Sequence, residues 1–191
     1  MVDRRDDYIR PRGYYDNKGN LLNVGFDVIN GWSTGKTDKT EFDEHTTSTV
    51  HIGLNPACRV YHNAAQSIPN GVGTALAFNS ERFDTDTMHD LVTNNSRITC
   101  KTAGIYLMSA SIEYAESAVG IRAVYFILNG GTAIGHITQN ASSNMRQSAS
   151  TIYSLSVNNY LECFVYQNSG GVLDINSSGN YSPEFSVVRI A

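Results

Sequence analysis

The 191 residues suit one ordinary domain with an extension, or at most two small domains. A formal net charge of −4, from 14 Lys and Arg against 18 Asp and Glu, leaves no electrostatic reason to expect nucleic acid as a partner. No run approaches the ~18 apolar residues of a membrane-spanning helix, and residues 1–10 lack the apolar centre of a secretory leader, so a soluble protein made in a cytoplasm, without a membrane partner, is expected.

Charge divides the chain near Pro56. Residues 1–57 hold 7 of the Lys and Arg and 9 of the Asp and Glu, while the rest is charge-poor and rich in Ser, Thr, Val, Ile and Tyr, as strands require. This predicts an N-terminal anchoring arm over 1–57 and a β domain over 58–191. Arg4, Arg5, Arg10 and Arg12 stand among Asp3, Asp6 and Asp7, which reads as a solvated mixed-charge start. A turn at 14–20 has short strands on either side, 11–15 and 21–26. Beyond Trp32 no period is visible. Gly31 and Gly35-Lys36-Thr37 nearly spell a phosphate-binding loop, but three residues separate the glycines where four are needed, and no apolar strand precedes them. A polar segment without its own core is ordered only by docking on a neighbour, so Tyr8, Ile9, Tyr14, Tyr15, Phe26 and Trp32 are the expected anchors.

After Pro56 come short strands at 59–62, 66–68, 74–78, 97–100, 105–114, 121–128, 133–138, 148–155, 161–167, 173–175 and 185–190. Turn signals separate them, among them Asn70-Gly71, Asn129-Gly130-Gly131, Asn158-Asn159 and Gly170-Gly171. Regular spacing without an amphipathic helix predicts an all-β antiparallel sandwich. Strand 105–114 puts Tyr106, Met108, Ala110, Ile112 and Tyr114 on one face and Ser109, Ser111 and Glu113 on a wet one. Strand 121–128 differs, with Val124, Phe126 and Leu128 on one face and Ile121, Ala123, Tyr125 and Ile127 on the other. Strand 161–167 repeats this, Glu162 being the polar exception. A sandwich hides one face per strand, so the second is expected to be covered by copies of the same chain, in a homotrimer. Tyr125, Ile127, Phe164 and Tyr166, or the opposite faces of the same strands, are the candidate trimer core.

Several pieces in order resemble the globular head of the complement subcomponent q superfamily, the jelly rolls shared with tumour-necrosis-factor-like proteins. They are Met88-His89-Asp90 before Arg97-Ile98-Thr99-Cys100, Gly104-Ile105-Tyr106, Asn129-Gly130, Val157-Asn158-Asn159-Tyr160-Leu161 and the closing Phe185-Ser186-Val187-Val188. The resemblance implies a ten-stranded jelly roll and a tight homotrimer with an aromatic and aliphatic axis, and it implies no particular activity. Cys58-Arg59-Val60-Tyr61, Gln66-Ser67-Ile68-Pro69 and Phe83-Asp84-Thr85-Asp86 are similar to the version of this fold on bacterial-virus particles. From this the expected role is a bacteriophage virion surface protein, a capsid decoration or head fibre held to other virion proteins by residues 1–57. The alternative is a tail-fibre or tail-tip module binding a host surface glycan or protein, with loops 140–144 and 176–181 at its far end.

Catalytic chemistry finds little footing. Asp84, Asp86, His89 and Asp90 offer four ligand atoms in one loop, yet the glycine and terminal Glu of a calcium loop are absent, so turn and capping roles are expected and no metal or cofactor is assigned. Cys58, Cys100 and Cys163 fall on or beside strands, as buried thiols do. His62, His89 and His136 read as surface or loop side chains, and Glu113, Glu116 and Asp174 as carboxylates with no obvious pairing, so no enzyme is expected. Tyr114, Tyr153, Tyr160, Tyr166 and Tyr181 read as interface fillers before sugar platforms.

Overall fold

A computed structural model of the chain describes residues 55–191. The proposed anchors Tyr8, Ile9, Tyr14, Tyr15, Phe26 and Trp32, the strands at 11–15 and 21–26, and the glycine pair around Trp32 lie outside those residues. The strands are β1 (Ala57–Tyr61), β2 (Gln66–Ile68), β3 (Thr74–Ala75), β4 (Ser80–Asp84), β5 (Arg97–Thr99), β6 (Gly104–Glu113), β7 (Ile121–Leu128), β8 (Thr132–Asn140), β9 (Arg146–Leu155), β10 (Tyr160–Gln167), β11 (Leu173–Ile175) and β12 (Glu184–Arg189). One sheet runs β4-β1-β12-β6-β9. The second runs β3-β10-β7-β8, with β5 also on β10, and β11-β2 forms a small ribbon. All the pairings are antiparallel. Two five-stranded sheets face to face make the antiparallel sandwich that the turn spacing predicts and the ten-stranded jelly roll that the family resemblance implies.

Side-chain phase explains which face each strand hides. Tyr106, Met108, Ala110 and Ile112 of β6 point inward beside Phe185 and Val187 of β12, and opposite them lie Val124 and Phe126 of β7 with Leu161, Cys163 and Val165 of β10. Phe126 stacks on Phe185 with ring centroids 5.4 Å apart, and Phe78 reaches the same ring at 5.8 Å, so aromatic contacts bridge the sheets. Along β8 the register passes from Val124↔Ile137 to Phe126↔Ile134, leaving Gly135 and His136 to face Tyr125 alone. This bulge needs glycine twice over. Its φ is +60°, and a Cβ there would lie 2.9 Å from the Phe126 ring.

The structure departs from sequence expectation at β3, which covers only Thr74–Ala75 of the expected 74–78, and at β4 and Arg122. Ser80-Glu81-Arg82-Phe83-Asp84 forms β4, an edge strand that its polar composition hid; it is held to β1 across a bulge between Arg59 and Val60. Its Arg82 joins Arg59 in clamping the buried Glu184 carboxylate at 2.9 Å each. The core phase of β7 also contains Arg122, which reading that strand as apolar overlooked. Arg122 is fully buried and donates to the carbonyls of Ser117, Val119 and Ile121 at 2.9–3.1 Å, which ties down the connection leading into β7.

Two substitutions test this account by equilibrium urea unfolding. Gly135→Ala should cost about 2 kcal/mol through left-handed strain and the Phe126 clash. Arg122→Ala should cost about 3 kcal/mol, because a fully buried side chain is lost from the core and the Ser117, Val119 and Ile121 carbonyls lose their donor.

Candidate functional site

The four residues expected at a trimer axis lie on the outer face of the β10-β7 pair, where Phe164 stands opposite Tyr125 and Glu162 opposite Ile127. Each is half-buried. Their neighbours supply that cover within one chain. The Tyr125 ring lies 5.7 Å from Phe164 and 4.8 Å from His136, and its hydroxyl sits over Gly73, where no Cβ would fit. Burial raises the Tyr125 phenol pKa. Glu162 is buried too, with Ser96 donating to it at 2.7 Å and Arg97 beside it at 3.4 Å.

The outer face of the other sheet is different. Ala57, Val188, Leu107 and Ile152 form one row across β1, β12, β6 and β9. Leu107 is 37% and Ile152 56% exposed, and the neighbouring Ile105 and Ile190 are exposed as well. The next rows are Arg59, Ser186, Ser109 and Ser150, then Tyr61, Glu184, Ser111 and Ser148, with Glu184 held by Arg59 and Arg82. The face of β6 expected to be wet therefore has a greasy end that nothing in the described residues covers, continued by a strip of small side chains. Sequence reasoning passed over it because Leu107 and Ile152 are isolated among serines, and only the register lines them up.

Strand directions give the barrel two poles. The described chain enters at Asn55 beside the 85–96 loop, since Thr85 bonds the Asn55 carbonyl at 2.9 Å, and Ala191 ends at the same pole against Ile105. The opposite pole gathers the connections after β2, β6, β8, β10 and β11. Loops 140–144 and 176–181 both lie at this pole, where Arg146 at the start of β9 pairs with Glu113 at 3.1 Å and lies 4.8 Å from the ring of exposed Tyr181, and Asn176 donates to Glu113 at 3.3 Å.

The chemically suggestive side chains are occupied by their own surroundings. Asp84 accepts from the Asp86 and His89 backbone N–H groups, and Asp90 from those of Val92 and Thr93, which holds the Asp90 carboxyl below its usual range. His89 is buried rather than on the surface, its ring lying 2.9 Å from Glu81 and 3.1 Å from the Asn95 carbonyl. Among the described residues no group of three His, Cys, Asp or Glu is placed to hold a metal. Asp174 accepts from Ser67 at 2.6 Å and Glu113 is paired as above. Tyr114 is a core residue, its hydroxyl donating to the Ala123 carbonyl at 2.7 Å, so it is neither interface nor sugar platform. The three cysteines are free and buried, and burial pushes each thiol up, with Asp84 and Glu81 adding to the effect at Cys58.

No family model matches the sequence, and no curated protein matches it. Solved structures do. Murine APRIL aligns with a TM-score of 0.56 at 6% identity, over 72% of this chain and 100% of that one. Eiger TNF from S. frugiperda aligns with a TM-score of 0.51 at 14% identity, over 72% of this chain and 93% of that one. The globular domain of zebrafish complement 1qA protein gives 0.48 at 14% identity, over 70% and 93%. At such identities the likeness to APRIL and Eiger shows the jelly-roll fold alone.

The buried thiols and phenols fix the sign of an alkaline effect. Burial also raises the Tyr106 and Tyr114 phenols, so above a pH of about 8.5 the unfolded chain loses protons that the folded one keeps. The urea midpoint should therefore hold steady from about pH 7 to that pH and fall steadily up to pH ~10.5; a flat profile would contradict the burial described.

Proposed function

We propose that this chain is a structural surface protein of a bacteriophage virion, a homotrimeric capsid decoration or head fibre that residues 1–57 anchor to other virion proteins. The carrying observation is the row of exposed Leu107 and Ile152 beside half-buried Val188, running into the serines of β6 and β9. Each buried Leu or Ile contributes roughly 1.5–3 kcal/mol, and the small serine side chains let a second backbone approach closely. Three copies related by a threefold axis bury this row on every subunit and leave no edge to propagate. The proposed interface is thus the β12-β6-β9 face. The half-buried Tyr125, Ile127, Phe164 and Tyr166 face stays the competing assignment. The phage setting rests on the resemblance of the 58–61, 66–69 and 83–86 segments to particle-borne heads, and the virion surface follows as the location after synthesis in the host cytoplasm. On this reading the protein is no enzyme.

The loops gathered at the pole away from Asn55 favour a second reading, a tail-fibre or tail-tip module that presents Tyr181, Arg146 and Asn144 to a host surface glycan or protein. Imaging particles with and without this chain separates the two, since decoration removes density from the head and attachment removes it from the tail.

Sedimentation of the full chain tests the assembly. A trimer is expected at micromolar concentration, with Leu107→Arg or Ile152→Arg giving monomers and Ile127→Arg leaving the trimer intact. The reverse pattern moves the axis to the β10-β7 face, and a wild-type monomer removes the trimer altogether.

A further inference from the structure

At the pole where the described chain enters, the 85–96 loop, the turn before β6 and the start of β10 enclose a cavity of about 510 Å³, within the range of small-molecule sites. Two cations line it, Arg97 and Lys101. Arg97 is held on two sides, its guanidinium 4.1 Å above the Tyr160 ring and its Nε 3.4 Å from Glu162. Among the described residues its two terminal nitrogens and the Lys101 ammonium have no hydrogen-bond partner. A planar fork already fixed in place loses little freedom when it receives an oxyanion. Thr87, Thr93, Asn94 and Thr99 add three hydroxyls and an amide to the same walls.

The walls are braced. His89 is pinned at both ring nitrogens, and Asp84 and Asp90 each hold two backbone N–H groups of the loop. Thr87 and Asn94, both lining the cavity, have φ of 50° and 53°. A β-branched residue in the left-handed region is a genuine outlier, kept there by its surroundings. Asp90 at the rim and Glu162 behind Arg97 offset the two cations, so the cavity offers the donors of Arg97 and Lys101 without the excess positive charge a polyanion needs, which matches a single oxyanion.

We propose that this cavity binds an acidic saccharide, with Arg97 and Lys101 receiving its carboxylate or phosphate and the threonine hydroxyls and Asn94 amide meeting its ring hydroxyls. The site lies at the opposite pole from loops 140–144 and 176–181, and the proposal stands independently of the trimer. A host-envelope polymer carrying such a group and a free sugar acid share this chemistry.

Calorimetric titration of the full chain at low ionic strength with glucuronate, glucose 6-phosphate, glucose and inorganic phosphate tests it. At least one of the two sugar acids should bind about tenfold or more tighter than both glucose and phosphate, and raising salt to ~0.5 M should weaken it. Lys101→Gln, on an exposed turn, should cost about tenfold without moving the melting temperature; Arg97→Gln should do the same or more. Binding of inorganic phosphate as tightly as either sugar acid, no binding of either acid, or undiminished binding by Lys101→Gln would overturn the proposal. Sedimentation of the same samples reports the oligomer separately, so loss of one reading leaves the other standing.

Discussion

The stacked contact of Phe126 with Phe185 is what the rest of this jelly roll is arranged around. Two rings at 5.4 Å join the centre of one sheet to the centre of the other, and Phe78 extends the contact from the loop that follows β3. Room for Phe126 comes from the β8 bulge, and the bulge exists because residue 135 has no side chain. The bulge also turns His136 out onto Tyr125, so one glycine shapes both the core and the outer aromatic cluster. Packing at this density leaves little freedom to adjust one side without the other.

Much of this was legible before any coordinates. The strands 66–68, 121–128 and 173–175 carry the same bounds in sequence and structure, because alternation and turn residues agree there. Polar strands escaped. β4 has one large apolar residue in five, and its place beside β1 depends on the Glu184 clamp, a contact about 100 residues distant that no local pattern encodes. Arg122 was passed over because a lone cation in an apolar run looks like a solvated tip, whereas its two terminal nitrogens bond three carbonyls of its own loop and neighbourhood while its buried Nε has no partner. The exposed row of Leu107 and Ile152 needs the register of β6 on β9, which is a property of pairing and not of either strand.

The two sheet faces show why a doubly apolar strand is an ambiguous sign of assembly. Tyr125 and Phe164 shelter each other, with His136 and the backbone at Gly73 adding to the cover, so part of what looked like a need for partners is met inside one chain while the face stays half-buried. Isolated aliphatics on a serine-rich face have no such neighbours, and a few of them aligned weigh more than several large rings packed side by side.

Antiparallel winding also separates the molecule's business by height. Every connection after β2, β6, β8, β10 and β11 returns at one end, while the incoming segment and Ala191 meet at the other. Loop length can drift at the first end without disturbing any ladder, as insertions in surface turns generally can. A peptide grafted between Ser142 and Asn144 would stand at the end away from Asn55 and Ala191, which makes this architecture a ready scaffold for display.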